Sequence, residues 1–201
     1  MEFTVQVKVS KASLPCSLEQ GGPFQSTNGT HNGVSVATLP PSNARGQEPK
    51  RGMYLLQVRM RSRLTARGVR ILLDPGRADS DSMKIAIMAL SAVPLAYNRH
   101  SWAVLGDMPG LNGDSEEGHR ALGRFCAEHF IDRLVCVGSL AFHIASGAIR
   151  SGLRPEHVQA YRTNAQVIHS LRSAVLPGDV MLLKGAHSMN AQEILEGLCA
   201  S

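Results

Sequence analysis

The 201-residue sequence contains no G-x-x-x-x-G-K-[ST], no H-E-x-x-H and no G-x-S-x-G. Without the first there is no loop of backbone amides recognisable as a holder of ATP phosphates, and without the others no signature of a zinc peptidase or a serine hydrolase. Aromatic residues make up only 4% of the chain. No apolar run approaches the roughly 18 residues needed to cross a bilayer, so no membrane segment is expected. Cys16, Cys126, Cys136 and Cys199 show no C-x-x-C spacing, which excludes paired zinc ligands and dithiol motifs and leaves the cysteines as small hydrophobes of a reduced protein. The formal charge is +5, yet Lys and Arg are scattered, with no basic block and no interleaved aromatics, and no nucleic-acid surface is expected.

What is present divides unevenly. Residues 1–52 are punctured by Gly21-Gly22-Pro23, Asn28-Gly29, Asn32-Gly33 and Pro40-Pro41-Ser42-Asn43, and read as a disordered or irregular arm. The opening Phe3-Thr4-Val5-Gln6-Val7-Lys8-Val9 alternates like a strand, but no second strand signal follows closely enough for a hairpin. Scarce acids and frequent Ser and Thr would suit an organellar transit sequence; Glu2, Glu19 and the lack of an Arg-rich amphipathic helix oppose it. Residues 53–201 form the domain, and an overall hydrophobic fraction of 43% is enough for a core.

Within that domain, strand-like runs at 54–63, 69–73, 102–105, 134–137, 158–161 and 180–183 alternate with helical patterns. Met83, Ile87 and Leu90 share one face, as do Leu122, Phe125 and His129, then Leu140, Ile144 and Ala148, then Val167, Leu171 and Val175, then Ile194 and Leu198. Asp114 with Glu117 and Asn190 with Glu193 match capping boxes. Such alternation predicts an α/β fold: a mainly parallel, Rossmann-like sheet flanked by helices, with ligands at the turns that follow the strands.

Three of these turns hold chemistry. In the first, Asp74 ends a strand and Arg77, Asp79, Ser80 and Asp81 lead into a helix, where exposed amides favour an anion or a polar ring edge; a plain helix cap explains Ser80 or Asp81 equally well. In the second, Gly106 would let backbone approach a ligand and Asp107 could accept from a hydroxyl or amine, while a connecting turn accounts for Pro109 and Gly110. The third, Lys184-Gly185-Ala186-His187, offers a cation and an imidazole, whose bland alternative is exposure to solvent. His119 and His143 are open to the same alternative. Spacing and composition alone reach as far as a small-molecule-binding α/β domain.

The residues of these turns resemble a known family. Asp74-Pro75-Gly76-Arg77-Ala78-Asp79-Ser80-Asp81-Ser82-Met83 is similar to the D-x-Y-N-A-N-x-x-S-M segment of the Mur ligases, and Leu105-Gly106-Asp107-Met108-Pro109-Gly110-Leu111-Asn112, with His119 beyond it, to L-G-D-M-x-E-L-G and its following His. Gly178-Asp179-Val180-Met181-Leu182-Leu183-Lys184-Gly185 is similar to the closing strand with its K-G-S-R turn. The likeness runs in order from about Arg63 to the C-terminus and covers the C-terminal domain of the family. Ser82-Met83 and Gly106-Asp107-Met108 point to the MurF branch, which adds D-alanyl-D-alanine to UDP-N-acetylmuramoyl-tripeptide.

The resemblance implies a lobe that closes over ATP and Mg2+ held mainly by a central domain. There a carboxylate is phosphorylated and an amine attacks the acyl phosphate. It implies that Asp74, Arg77 and Asp79 face the nucleotide, that Gly106, Asp107 and Met108 line the substrate cleft together with Lys184, Gly185 and His187, and it assigns no catalytic residue or metal ligand to this chain. Partners would be ATP, D-alanyl-D-alanine and separately encoded N-terminal and central domains, in the cytoplasm, or in a plastid if residues 1–52 are a transit sequence. Gly76 stands where the family has Tyr, Arg77 and Asp79 where it has Asn, Gly110 for Glu, Asn112 for Gly and His187 for Arg. An ionised Asp only accepts hydrogen bonds where an Asn also donates, so nucleotide contacts should be weakened. Because the family's phosphate loop, Mg2+ ligands and UDP-sugar lobe have no counterpart in these residues, the chain alone is expected to be inactive; the alternative is a degenerate, non-catalytic module that binds a nucleotide or a protein.

Overall fold

Apolar strands that alternate with amphipathic helices bury both faces of a sheet, and the computed structural model, which describes residues 2–10, 34–38, 53–108, 115–185 and 189–200, has that architecture. Its strands are β1 (Glu2–Ser10), β2 (Val34–Thr38), β3 (Met53–Leu64), β4 (Arg70–Leu73), β5 (Ser101–Gly106), β6 (Arg133–Val137), β7 (Val158–Tyr161) and β8 (Val180–Lys184). The described helices are α1 (Ser80–Ser91), α2 (Ser115–Glu128), α3 (Ala141–Arg150), α4 (Asn164–Ala174) and α5 (Ala191–Cys199). One eight-stranded sheet runs β1-β3-β4-β8-β5-β6-β7, with β2 also paired to β3. β4, β8, β5, β6 and β7 are mutually parallel; β1, β2 and β4 are antiparallel to β3.

The direction of each crossover sets the face on which its helix lies. From β4 to β5, β6 and β7 the chain advances across the sheet, and right-handed connections put α1, α2 and α3 on one face. There Met83, Ile87 and Leu90, Leu122 and Cys126, and Ile144 and Ala148 pack on Leu72, Ala103, Leu105, Leu134, Cys136 and Leu182. The return from β7 to β8 puts α4 on the other face, and α5, which follows β8, joins it there; Val167, Leu171, Ile194 and Leu198 meet Ile71, Leu73, Trp102, Val104, Val135 and Leu183. Burial in this dry core pushes the Cys126 thiol up to about 12, and pushes the Cys136 thiol well above its usual range. Both behave as hydrophobes.

Two parts of the sequence reading need correction. The amino-terminal arm was expected to be irregular, but its residues 2–10 and 34–38 are strands of the sheet. β1 pairs with β3 from Glu2 opposite Arg61 to Ser10 opposite Met53, and Val5 and Val7 join the core; this partner lies too far along the chain to be read as a hairpin. The remainder of residues 1–52 lies outside the described residues. The capping box at Asn190 is absent as well: that residue is left-handed, with φ 44°, and its side chain makes no cap bond. The box forms instead at Thr163 and Gln166, ahead of α4. Asp114 lies outside the described residues.

α2 and α3 touch backbone to backbone. A Cβ at Gly123 would overlap the Ile144 carbonyl oxygen, and one at Gly147 would overlap that of Arg120, so glycine on both helices is what permits the crossing. Among the described residues no helix is long and apolar enough to cross a membrane.

Candidate functional site

β8 lies between β4 and β5, and the chain leaves β8 toward one face of the sheet and leaves its two neighbours toward the other. Ligands of open α/β sheets bind at such a reversal, beyond the carboxyl ends of the strands. The turns at Asp74, Lys184 and Gly106 therefore share one edge: Leu73 stands opposite Leu183, and Leu105 opposite Lys184.

Lys184 is fully buried. Its Nζ donates to Asp74 Oδ2 at 2.7 Å and to the Arg77 carbonyl at 2.9 Å. The other Asp74 oxygen accepts from the Gly76 amide at 2.9 Å, and a Cβ at Gly76 would lie 2.9 Å from that oxygen. A side chain in place of Gly76 would press on the Asp74 carboxylate as it is placed here. Asp79 caps α1, accepting from the Ser82 amide at 2.9 Å, while Ser82 Oγ donates to the Arg77 carbonyl at 2.5 Å. The turn is a helix cap, as the plainer reading expects, with Asp79 rather than Ser80 or Asp81 supplying it. Arg77 alone reaches outward: its side chain is 81% exposed, with Asp79 3.7 Å away.

Asp107 faces the neighbouring strand's turn. One carboxylate oxygen accepts from the Ser139 amide at 2.9 Å and its hydroxyl at 3.0 Å, and the other from the Leu140 amide at 3.1 Å. Leu140 is the N-cap of α3 and has no side-chain cap of its own, so Asp107 supplies from β5 the acceptor that this helix start lacks. Gly138 has φ +133°, and a Cβ there would overlap the Asp107 carboxylate. Asp107→Asn should cost about 1–3 kcal/mol, because an amide group would face one of these N–H donors. Urea unfolding measures the loss, and faster hydrogen exchange at Ser139 and Leu140 would locate it.

The glycines here allow strand ends to meet. A Cβ at Gly106 would come within 2.8 Å of Met189 Sδ and 3.2 Å of Gly185 Cα. Gly106 and Gly185 are thus stacked under Met189, which covers the spot where Gly106 was expected to admit a ligand. Met108 is buried, and its amide donates to His119 Nε2 at 3.0 Å, while His119 Nδ1 lies 2.6 Å from the Ser115 carbonyl. These two bonds fit a neutral imidazole with its proton on Nδ1. His119 is fully buried and braces the loop after β5, where the sequence also allowed a surface histidine. His143 instead sits 3.7 Å from Glu116. The roles of His119, Ser139 and Met189 as braces arise from contacts between turns, for which no local pattern exists. His187 lies outside the described residues.

The family model for the Mur ligase glutamate ligase domain matches residues 58–187. The chain belongs to the Mur ligase family. It is 34% identical over 145 residues to the UDP-N-acetylmuramoyl-tripeptide--D-alanyl-D-alanine ligase of Mycobacterium leprae, a match covering 65% of this chain and 28% of that protein. Among solved structures, MurF from Acinetobacter baumannii superposes with a TM-score of 0.60 at 22% identity, over 71% of this chain and 30% of that one. MurF ligase from Thermotoga maritima in complex with ADP gives 0.56 at 22% identity, over 70% and 30%. The two structures share the fold, and the Mur ligase C-terminal lobe of this chain is MurF-like. The chain spans less than a third of the length of these relatives.

Proposed function

We propose that this chain is the closing lobe of a peptidoglycan-precursor ligase of the MurF type, working on ATP, UDP-N-acetylmuramoyl-tripeptide and D-alanyl-D-alanine in the cytoplasm. Its activity depends on nucleotide-holding and UDP-sugar-holding lobes of the same ligase type. The observation that carries this reading is the convergence of the three family-like turns on the carboxyl edge of β4, β8 and β5, with Lys184 binding the first turn to the third.

In this reading Arg77, at the amino end of α1, is the group presented to the nucleotide; the exposed guanidinium and the helix start both favour negative charge. Lys184 shapes the turn from beneath, since Asp74 and the Arg77 carbonyl occupy it. Gly106, Gly185 and Met189 set how closely β5 and β8 approach under the substrate cleft. The described residues do not fit Mg2+: no group of three His, Cys, Asp or Glu among them could hold a metal ion, and Asp74 and Asp79 are already engaged. Magnesium in this scheme stays with the nucleotide on the partner lobes. Transferring a phosphoryl group needs several cations and amides at once, so this chain alone is expected to be inactive.

The test mixes the purified chain with the N-terminal and central domains of a MurF ligase and follows phosphate release that depends on D-alanyl-D-alanine. Turnover with the mixture and none with either part supports the reading; no turnover with competent partner domains overturns it. The alternative, a degenerate non-catalytic module, draws on the engagement of Asp74 and Asp79 and the missing side chain at Gly76. Calorimetry separates the two: heat with ATP or ADP but no turnover in the mixture favours the module, and no heat with ATP, ADP or D-alanyl-D-alanine removes its small-molecule branch.

A further inference from the structure

At the opposite end of the sheet, on the face covered by α4, the first residues of β5, β6 and β7 border a cleft of about 270 Å3. Trp102 pairs with Arg133 across β5 and β6, and His157 immediately precedes the pairing of Val158 with Leu134. The indole and Arg133 therefore sit on adjacent strands, with His157 in the turn that leads into β7, and Ala174, the last residue of α4, and Leu176 beyond it complete the lining. Arg133 is half-buried, and neither its guanidinium nor the His157 ring has a hydrogen-bond or ion-pair partner among the described residues. The fully buried Asp179 does not neutralise them. Its two oxygens accept from the His100 amide, the Trp102 indole and the Leu176 amide at 2.9–3.0 Å, and the His100 ring lies 3.7 Å away. Glu156 is the one carboxylate lining the cleft.

We propose that this cleft is a binding site for a small organic anion: a carboxylate or phosphate group on Arg133 and His157, joined to a short apolar body against Trp102 and Leu176. An unpaired arginine on a half-buried wall is a fork with no partner, and carboxylates and phosphates match that fork with two parallel bonds. Burial, then the neighbouring charge of Arg133, lowers the His157 pKa against the opposing pull of Glu156. The indole N–H is already bound to Asp179, so the ring offers only apolar surface to the ligand.

Trp102 is the single tryptophan of the chain, so its fluorescence reports on this cleft alone. The full chain is titrated at low ionic strength with phenyl phosphate, benzoate and inorganic phosphate. Phenyl phosphate or benzoate is expected to change the emission saturably, and their order of affinity tells a phosphate headgroup from a carboxylate. Inorganic phosphate should bind at least tenfold more weakly. Arg133→Met should weaken the organic ligand at least tenfold while the unfolding midpoint stays unchanged, and Arg59→Met, on distant β3, should leave binding intact as a control for net charge. If Arg133→Met proves unfolded, His157→Gln takes its place with the same expected loss. No saturable change with either organic anion, equal binding of inorganic phosphate, or equal losses in the Arg133 and Arg59 variants would overturn the assignment.

Discussion

Gly147→Ala is expected to destabilise the protein by about 3 kcal/mol or more, although alanine is the better helix former by about 1 kcal/mol. The added methyl would overlap the Arg120 carbonyl oxygen of α2, and that atom cannot swing aside as a side chain would. To make room, α2 and α3 would have to separate, exposing Leu122, Cys126, Ile144 and Ala148, which now pack between them and the sheet. Gly123→Ala meets the Ile144 carbonyl from the other side and should behave alike. Urea unfolding of each variant gives the sign directly. A gain in stability would mean that helix propensity outweighs the clash, and that the helices are not in contact as described.

The second large effect concerns the ion pair under the site. Lys184→Met keeps much of the lysine's length but removes the ammonium from Asp74, leaving a mostly buried carboxylate with only the Gly76 amide. Stranding one member of a buried pair costs about 3–5 kcal/mol, whereas replacing both members by apolar groups is often close to neutral. The double variant Lys184→Met/Asp74→Leu should therefore recover part of the loss, short of full recovery because the turn at Gly76 also uses Asp74. Thermal and urea unfolding of the two single variants and the double variant test this. Equal, additive losses would show that the two groups do not depend on each other.

The parallel sheet was legible because its strands are short, continuously apolar and separated by amphipathic helices; the predicted runs at 69–73, 102–105, 134–137, 158–161 and 180–183 lie within a residue of β4 to β8. The three turns after β4, β5 and β8 were legible for the same reason: each is the break where an apolar strand ends. What those residues do there was not. Asp107 reads as a free acceptor at a strand end, but its bonds go to Ser139 and Leu140, more than 30 positions along. Lys184 reads as solvent-facing by default, yet its partners are 110 and 107 residues away. The Thr163–Gln166 box carries the T-x-x-Q pattern, whereas Asn190 carries the same kind of pattern on a left-handed backbone, where no cap forms. For β1 the period-two alternation was visible, while its partner β3 begins at Met53, beyond the reach of any turn rule.

The position of β8 has a consequence for how the molecule is made. It is the last of the described strands and the one wedged between β4 and β5, so a ribosome synthesises both of its neighbours before the piece that joins them. Until that strand emerges, β4 and β5 each expose an open row of amides and carbonyls, the state in which nascent chains are most prone to stick to one another. Its pairings with β4 and β5 join residues far apart in sequence, the kind of contact whose formation slows folding.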